Sequence, residues 1–583
     1  MTVTFLMTTS LLSAARISAL RRSTGRSTAL MACQYVVAPE SRTLSPISMS
    51  LLFTSRQPTP STTMHQRRFI FTTNSTRSTA ALNAEALMDT SDVPSALAHM
   101  PKHFSDMEFS SNVYELERHG RGESHHSPQP PGLIVYCKTT DDVQQIVQYC
   151  YQHNIPMIPF GGGTSVEGHV QSMKPHTLSI DLAKYMNRIH HIPNIAESDS
   201  PPDAYAVVDA GVSRAQLEQA LRPTGFFFSV DPGAKEATIG GMVSTGASGT
   251  TTVRHGTMKD NLLEATAVLA SEPDAPVIQV GSKALKNSAG YDLLNLLCGS
   301  EGTLGIVTQV TVKLHPVPQH LVAVTCNFQT LHEAASAVAT LLLYGVDLER
   351  CELLDVSSVK AFCAIAADDQ KDLPRLPTLF LELSAGTEAA LQEQVKLVQE
   401  ILEVPETDED SDTSSSTGVL NFQTAYGEQE RSELWKARHG LYYAAIHSRH
   451  GSEGAVVTDA AVPLSHLADL IEATAQDVEE QGVVGLSCGH AGDGNFHCLM
   501  PIRKDDPEEY WNKVKLVNTN LIKRTLAVGG TCTGEHGIGM SKKDFLKQQY
   551  TSATIDAMKL IKRAMDPKNL LNPGKVIDVD TKA

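Results

Sequence analysis

Two glycine-rich stretches toward the C-terminal end carry the residue types best able to do chemistry. One is Gly489-His490-Ala491-Gly492-Asp493-Gly494-Asn495-Phe496-His497, and the other is Thr531-Cys532-Thr533-Gly534-Glu535-His536-Gly537-Ile538-Gly539. On a continuous strand His490 and His497 would face opposite sides, because side chains alternate. A helix would align them, but the glycines of this stretch disfavour a helix. A tight glycine turn instead folds the chain back and brings both imidazoles together. Two imidazoles and one carboxylate are a common divalent-metal set that leaves positions open for substrate. His490, His497 and Glu535 are therefore the candidate ligands. His536, next to a ligand but itself free, is the candidate general base. A lone histidine is more commonly a packed or surface residue, and the sequence holds 22. Spacing alone leaves both readings open.

A second kind of chemistry is suggested by glycine clustering upstream. The clusters are Gly161–Gly163 with Gly168, then Gly233, Gly240, Gly241, Gly246, Gly249 and Gly256, then Gly299, Gly302 and Gly305. Glycine lets backbone amides approach a ligand closely and point inward together. Thr164, Ser165, Thr238, Ser244, Thr245, Ser248 and Thr252 add hydroxyls. Such an array suits a pyrophosphate. The strict G-x-G-x-x-G fingerprint is missing from the sequence, which argues against a nicotinamide Rossmann site.

The elements that must position these groups are readable in part. Leu133–Cys137 is an apolar, β-branched run. Thr139 or Thr140 caps a helix with Asp141 and Asp142 in its first turn, and Val143, Ile146, Val147 and Cys150 recur at helical spacing. Residues 156–160 form a second strand and run straight into the first glycine cluster. Strand, helix, strand, glycine loop is an α/β unit. A strand over Tyr205–Val208, a helix over Arg214–Leu221 after Ser213 and a strand over Gly305–Leu314 follow. Pro316 and Pro318 mark a domain boundary. Helical pattern returns over Glu428–His450 and Ser541–Ala564. The segment Glu406–Gly418, rich in Asp, Glu, Ser and Thr, reads as a solvated insertion.

Composition excludes several classes. The chain has 583 residues and a formal net charge of −17. Residues 1–84 contain nine Arg, no Lys and one acid, a net +8, so residues 85–583 carry −25. The same 84 residues hold 28 Ser plus Thr, the profile of an organelle transit peptide with Arg67-Arg68-Phe69 as a processing site; a merely disordered tail is the alternative. The acidic remainder argues against nucleic-acid binding. No uncharged apolar run is long enough for a membrane span, which leaves peripheral membrane association open. Ten cysteines without a C-x-x-C pair support neither a disulfide scaffold nor a zinc ribbon.

Four strings carry a resemblance: Pro159-Phe160-Gly161-Gly162-Gly163-Thr164-Ser165, Asp231-Pro232-Gly233, Thr238-Ile239-Gly240-Gly241 and Gly299-Ser300-Glu301-Gly302-Thr303-Leu304-Gly305. They resemble the FAD domain of the vanillyl-alcohol-oxidase/p-cresol-methylhydroxylase superfamily. Cys488–Phe496, Gly530–Gly539 and the closing Asp566–Lys575 resemble the C-terminal part of FAD-linked D-2-hydroxyacid dehydrogenases. The resemblance implies an α+β fold. Its parts are a two-subdomain FAD-binding domain (131–316) after an extension (85–130), an α/β substrate or cap domain (317–540), and a helical return to the flavin (541–583). It implies FAD contacts at Pro159, Gly161, Gly162, Gly163, Thr164, Ser165, Pro232, Gly233, Thr238, Gly240, Gly241, Thr245, Gly246, Arg254, Gly256, Glu301, Gly302, Ile306 and Asn572. No His or Cys lies within Gly161–Gly168, so non-covalent FAD is expected.

The same resemblance implies metal ligation by His490, His497 and Glu535, with His536 as base and Arg438 holding the substrate carboxylate. Zn is the first expectation for the metal, with Mn or Fe as further fits. The hydroxyglutarate-oxidising members place a Thr and a Lys where this chain has Tyr442 and Val457. The strings Thr458–Pro463 and Thr531–Gly534 are most similar to the D-lactate-oxidising, cytochrome-c-linked mitochondrial members. A short D-2-hydroxy acid, oxidised by hydride transfer to FAD, is therefore the expected substrate, with cytochrome c as electron acceptor. D-2-hydroxyglutarate or glycolate oxidation is the alternative within the family. A metal-dependent hydrolase is the alternative class, but it leaves the glycine clusters unexplained.

Overall fold

A computed structural model describes residues 92–194, 202–366, 373–403 and 418–579. The leader expected over residues 1–84 lies outside these residues, as does nearly all of the acidic insertion expected at 406–418.

Local sequence rules place the first α/β unit. Leu133–Tyr136 is a fully buried strand. Thr139 caps the helix Thr140–His153 through a reciprocal pair of bonds with Asp142, and Val143, Ile146, Val147 and Cys150 form its buried face. Met157–Phe160 follows as a strand and leads into Gly161. Both strands flank Leu178–Asp181 in parallel, and Glu108–Ser110 adds an antiparallel edge to Leu133–Tyr136. A second, antiparallel sheet runs in the order Ile189–His191, Tyr205–Asp209, Ile306–Lys313, Leu262–Val268, Val277–Gly281. Ser213 caps the helix Arg214–Leu221, with Gln216 completing the box.

The second half is built on an eight-stranded sheet. Its order is Asn421–Ala425, His320–Asn327, Thr378–Ala385, Leu348–Leu354, Leu486–Gly489, Asn495–Ile502 and Gly454–Val457, with Ala460–Ala461 also paired to Asn495–Ile502. Its apolar core includes Val324, Leu353, Leu381 and Phe496. The C-terminal segment then returns to the first sheet. Met157 N donates to Leu570 O at 2.7 Å, and Asn572 N donates to Met157 O at 2.7 Å.

Two helical expectations need correction. The pattern over Glu428–His450 divides at Gly440 into Glu428–His439 and Leu441–Ser448. The pattern over Ser541–Ala564 divides into Lys543–Gln549 and Ser552–Met565, because Tyr550 is extended and Thr551 starts a new helix by accepting from Thr554 N. Among the described residues no helix is long and apolar enough to cross a membrane.

The short pair between His315–Pro316 and Phe226–Phe227 carries a pH-sensitive residue. His315 Nε2 lies 2.8 Å from Asn261 Oδ1, and its ring sits 4.3 Å from that of His255. Burial, with His255 beside it, pushes the His315 pKa down to about 4 from 6.5. Between these values the unfolded chain binds a proton that the folded chain excludes. Stability is therefore full above about pH 6.5 and falls as pH drops toward about 4. His315→Gln, which keeps a donor to Asn261, is expected to flatten this acid limb in urea denaturation. An unchanged slope would show that His315 is not its source.

Candidate active site

The three glycine clusters and the C-terminal histidine turn open onto one cavity of about 810 Å³. Part of its lining comes from residues 159–170, 231–247 and 301–305. A second part comes from Arg438, Leu441, Tyr442, Val457, Cys488, His490, His497, Leu499, Glu535 and His536, and Asn572 joins from the C-terminal return.

The first loop shows why glycine is needed. A Cβ on Gly161 would fall 2.3 Å from Thr238 Oγ1, and one on Gly162 would fall 2.5 Å from Glu236 O. The first loop thus packs directly on residues 236–238 of the second glycine-rich stretch, and Gly163 turns the chain at φ +69°. The residues fit a polar ligand: Ser165 Oγ and Asn572 Oδ1 are buried and have no hydrogen-bond partner among the described residues, and both residues line the cavity. Uncompensated burial of such atoms is costly, so a bound group that supplies partners is favoured.

Of the FAD contacts expected, Pro159, Gly161, Gly162, Gly163, Thr164, Ser165, Pro232, Gly233, Thr238, Gly240, Gly241, Thr245, Glu301, Gly302 and Asn572 line this cavity. Gly246, Arg254, Gly256 and Ile306 do not. Gly246 closes the short helix Ile239–Thr245 in the left-handed region, and Ile306 is fully buried at the start of its strand. Arg254 is drawn away by two carboxylates, pairing with Asp347 and, at 3.0 Å, with Glu349. Gly256 turns the chain at φ +75° against Asp260. Glu301 lines the cavity but commits its carboxylate to protein groups. It accepts from Ile538 N at 2.6 Å and Gly539 N at 2.8 Å, and lies 2.9 Å from His169 Nε2. Ser248, expected among the cofactor hydroxyls, donates to Glu535 Oε2 at 2.6 Å instead.

The histidine turn forms as its spacing requires. Cys488 pairs with His497 across the strands, Gly494 turns at φ +78°, and the two imidazole centroids lie 5.7 Å apart. Each ring commits Nδ1 to an acceptor. His490 Nδ1 donates to Glu352 Oε1 at 2.6 Å, and His497 Nδ1 donates to Thr458 O at 2.9 Å. Both Nε2 atoms then face Glu535 Oε1, at 3.3 and 3.2 Å. Outer partners that fix the tautomer in this way are characteristic of metal-ligating histidines.

The local field also favours positive charge. Burial pushes the His490 pKa down, but Glu352 and Glu535 outweigh it and raise it well above the usual imidazole range. Burial pushes the Glu535 carboxyl up, but His490 and His497 outweigh it and hold it well below the usual carboxylate range. His536 differs: burial dominates and pushes its pKa down to about 4, so the ring is neutral at pH 7 and able to accept a proton. A second group of potential donors, Asp459, His497 and His536, lies beside the first. There the nitrogen of His497 facing Asp459 is Nδ1, already committed to Thr458.

Sequence reading missed three buried residues that hold this lining in place. Glu352, fully buried, accepts from Arg438 Nε at 2.5 Å while holding His490. Asp459, also fully buried, gathers the backbone of Gly534–His536. Lys542 lies 3.0 Å from Glu167 and 3.6 Å from Asp459. No local signal singles out Glu352, because the strand Leu348–Leu354 also holds Glu349 and Arg350.

Known proteins match this arrangement. Residues 131–272 match the FAD binding domain model, and residues 317–576 match the C-terminal domain model of FAD linked oxidases. The chain therefore carries an FAD-binding domain, and the glycine clusters over residues 161–256 lie within the part that matches it. The chain is 37% identical over 463 residues to a probable mitochondrial D-lactate dehydrogenase of Danio rerio, covering 79% of this chain and 88% of the relative. It is 34% identical over 491 residues to the mitochondrial D-lactate dehydrogenase (cytochrome) of Arabidopsis thaliana, covering 83% and 80%. It is 35% identical over 500 residues to the mitochondrial D-lactate dehydrogenase (cytochrome) 1 of Saccharomyces cerevisiae, covering 84% and 79%. Among solved structures, p-cresol methylhydroxylase superposes with a TM-score of 0.68 at 17% identity, covering 85% of this chain and 98% of that one. At that identity the likeness speaks to the fold, which is of the p-cresol-methylhydroxylase type. The chain belongs to the FAD-linked oxidase family that includes the mitochondrial D-lactate dehydrogenases.

Proposed function

We propose that this protein oxidises D-lactate, or a closely related short D-2-hydroxy acid, to the 2-oxo acid. FAD, held non-covalently, is the immediate acceptor and cytochrome c the next. The observation that carries this reading is the convergence of Arg438, His490, His497, Glu535 and His536 on the same cavity as the glycine loops. The relatives' mitochondrial names and the basic segment 1–84 support work in the mitochondrion, in the matrix or at the inner membrane, behind a removable leader. Residues 131–316 are assigned to flavin binding, 317–540 to substrate and metal, and 541–583 to the return.

Oxidation removes a hydride from the substrate's C2 and a proton from its hydroxyl. Bound FAD supplies a two-electron acceptor, and a divalent cation (Zn, Mn or Fe) held by His490, His497 and Glu535 supplies Lewis acidity. Arg438 spends Nε on Glu352, which leaves its terminal amino groups for a bidentate grip on the substrate carboxylate. His536 Nε2, 3.9 Å from Glu535 Oε1, takes the hydroxyl proton. Leu441, Val457, Cys488 and Leu499 make the substrate end apolar, and Tyr442 is uncharged at neutral pH. None of these residues offers a distal carboxylate a cationic partner.

The test is stopped-flow reduction of the flavin by D-lactate, D-2-hydroxybutyrate, glycolate and D-2-hydroxyglutarate. D-lactate and D-2-hydroxybutyrate should be fastest, with hydroxyglutarate slower by about 10²-fold or more in kcat/KM, the scale on which a mismatched polar group is rejected. Fast reduction by hydroxyglutarate alone would overturn the substrate assignment.

A further inference from the structure

We propose that Asp459 is a positioning residue of this reaction, setting the loop that carries Glu535 and His536. The inference rests on the oxidation proposed above. Asp459 sits between the strands Gly454–Val457 and Ala460–Ala461 and is wholly buried. One of its oxygens, Oδ2, accepts four hydrogen bonds. They come from Thr533 Oγ1 at 2.6 Å, Gly534 N at 2.8 Å, Glu535 N at 3.0 Å and His536 N at 2.9 Å. Three consecutive amides converging on one carboxylate oxygen form an anion-holding nest. Here the anion is the protein's own, and the nest is the segment that presents a ligand and the base. Lys542, 3.6 Å from the same oxygen, keeps the buried charge from standing alone.

Asp459 Oδ1 lies beside the same imidazoles, 4.0 Å from His497 Nδ1. An oxygen of Asp459 and one ring nitrogen each of His497 and His536 lie within 4.8 Å of one another. The His536 ring stacks on His497 with centroids 4.9 Å apart and planes 9° from parallel. The base thus stands on a backbone bonded to Asp459 Oδ2 and against a ring beside Asp459 Oδ1.

Asp459→Asn tests this. The amide oxygen can still accept from the nest, but without charge. The variant is expected to lose about 10²-fold in kcat with D-lactate, the scale of a small misplacement of a reacting group. KM should stay within about threefold, and FAD and metal content within about twofold. Amide hydrogen exchange at Gly534, Glu535 and His536 should accelerate about tenfold or more. A role confined to folding would instead lower FAD and metal content along with kcat. Unchanged kcat, or a fall in kcat that tracks metal loss, would overturn the proposal, as would unchanged exchange at the three amides. If Asp459→Asn does not fold, Asp459→Glu, which keeps the charge and shifts it by one methylene, is read the same way. The exchange measurement needs no substrate, so it stands apart from the oxidation itself. Wild-type flavin left oxidised by every D-2-hydroxy acid would overturn the function and not this role.

Discussion

His536→Ala is expected to abolish measurable reduction of the flavin by D-lactate while leaving FAD bound. A positioned general base contributes about 10²–10⁴-fold to a proton-transfer step. The substitution removes the imidazole that faces the ligand set and leaves the backbone N–H of residue 536 on Asp459. The groups assigned to FAD lie mainly in residues 159–165, 231–245 and 301–302, and the His536 side chain is not among them. Flavin retained after desalting, with its stopped-flow reduction lost, is the expected pair of results. Reduction at the wild-type rate would remove His536 from the mechanism and return attention to the other imidazoles.

The second large effect is expected at Glu352. This carboxylate is fully buried and bridges the substrate's proposed anchor to a proposed metal ligand, accepting from Arg438 Nε at 2.5 Å and His490 Nδ1 at 2.6 Å. Burial pushes its pKa up, but His490 and Arg438 outweigh that and hold it below the usual carboxylate range, so it is an anion in the folded protein. Glu352→Gln keeps the volume and removes the charge. Arg438 is then a cation in a closed site without its counter-ion, a change that costs about 3–5 kcal/mol when a buried pair is broken outright and less when an amide remains to accept. His490 also loses the partner that fixes its tautomer, a change worth about 10–100-fold in metal affinity at comparable sites. Chemical denaturation, elemental analysis and steady-state kinetics should therefore move together: lower stability, lower metal content and higher KM for D-lactate. Lower stability alone, with metal and KM unchanged, would reduce Glu352 to a core ion pair.

Legibility of this molecule in its sequence followed the range of the interactions. The helix after Ser213 and the helix capped by Thr139 rest on bonds three residues apart, and both stand where the pattern puts them. The turn between His490 and His497 was readable because glycine spacing and strand alternation leave few ways to bring two imidazoles together. The helix divisions at Gly440 and Tyr550 were not readable, since hydrophobic periodicity continues across them. Glu352 was invisible because its partners lie 86 and 138 residues away. Arg254 and Ser248 lie within the stretch 131–316 that the resemblance assigns to flavin binding. Each turns instead to a carboxylate of the other half, across distances that composition and spacing do not encode.

The return of residues 568–575 to the first sheet has a consequence in time. Lys568 reaches Asn154 across 414 residues, Lys575 reaches Gln171 across 404, and Asn572 reaches His169 across 403. At about 5–20 residues per second, roughly 20–80 s of synthesis separate the two halves of each contact. Throughout that interval the edge of Met157–Phe160 has no neighbour from the distant segment, and Asn572 is missing from the cavity. An unpaired strand edge is the part of a nascent chain most exposed to wrong partners. The cavity is thereby completed only on the arrival of residues 568–575, so a chain stopped short of them is unfinished at the cavity as well as at its end.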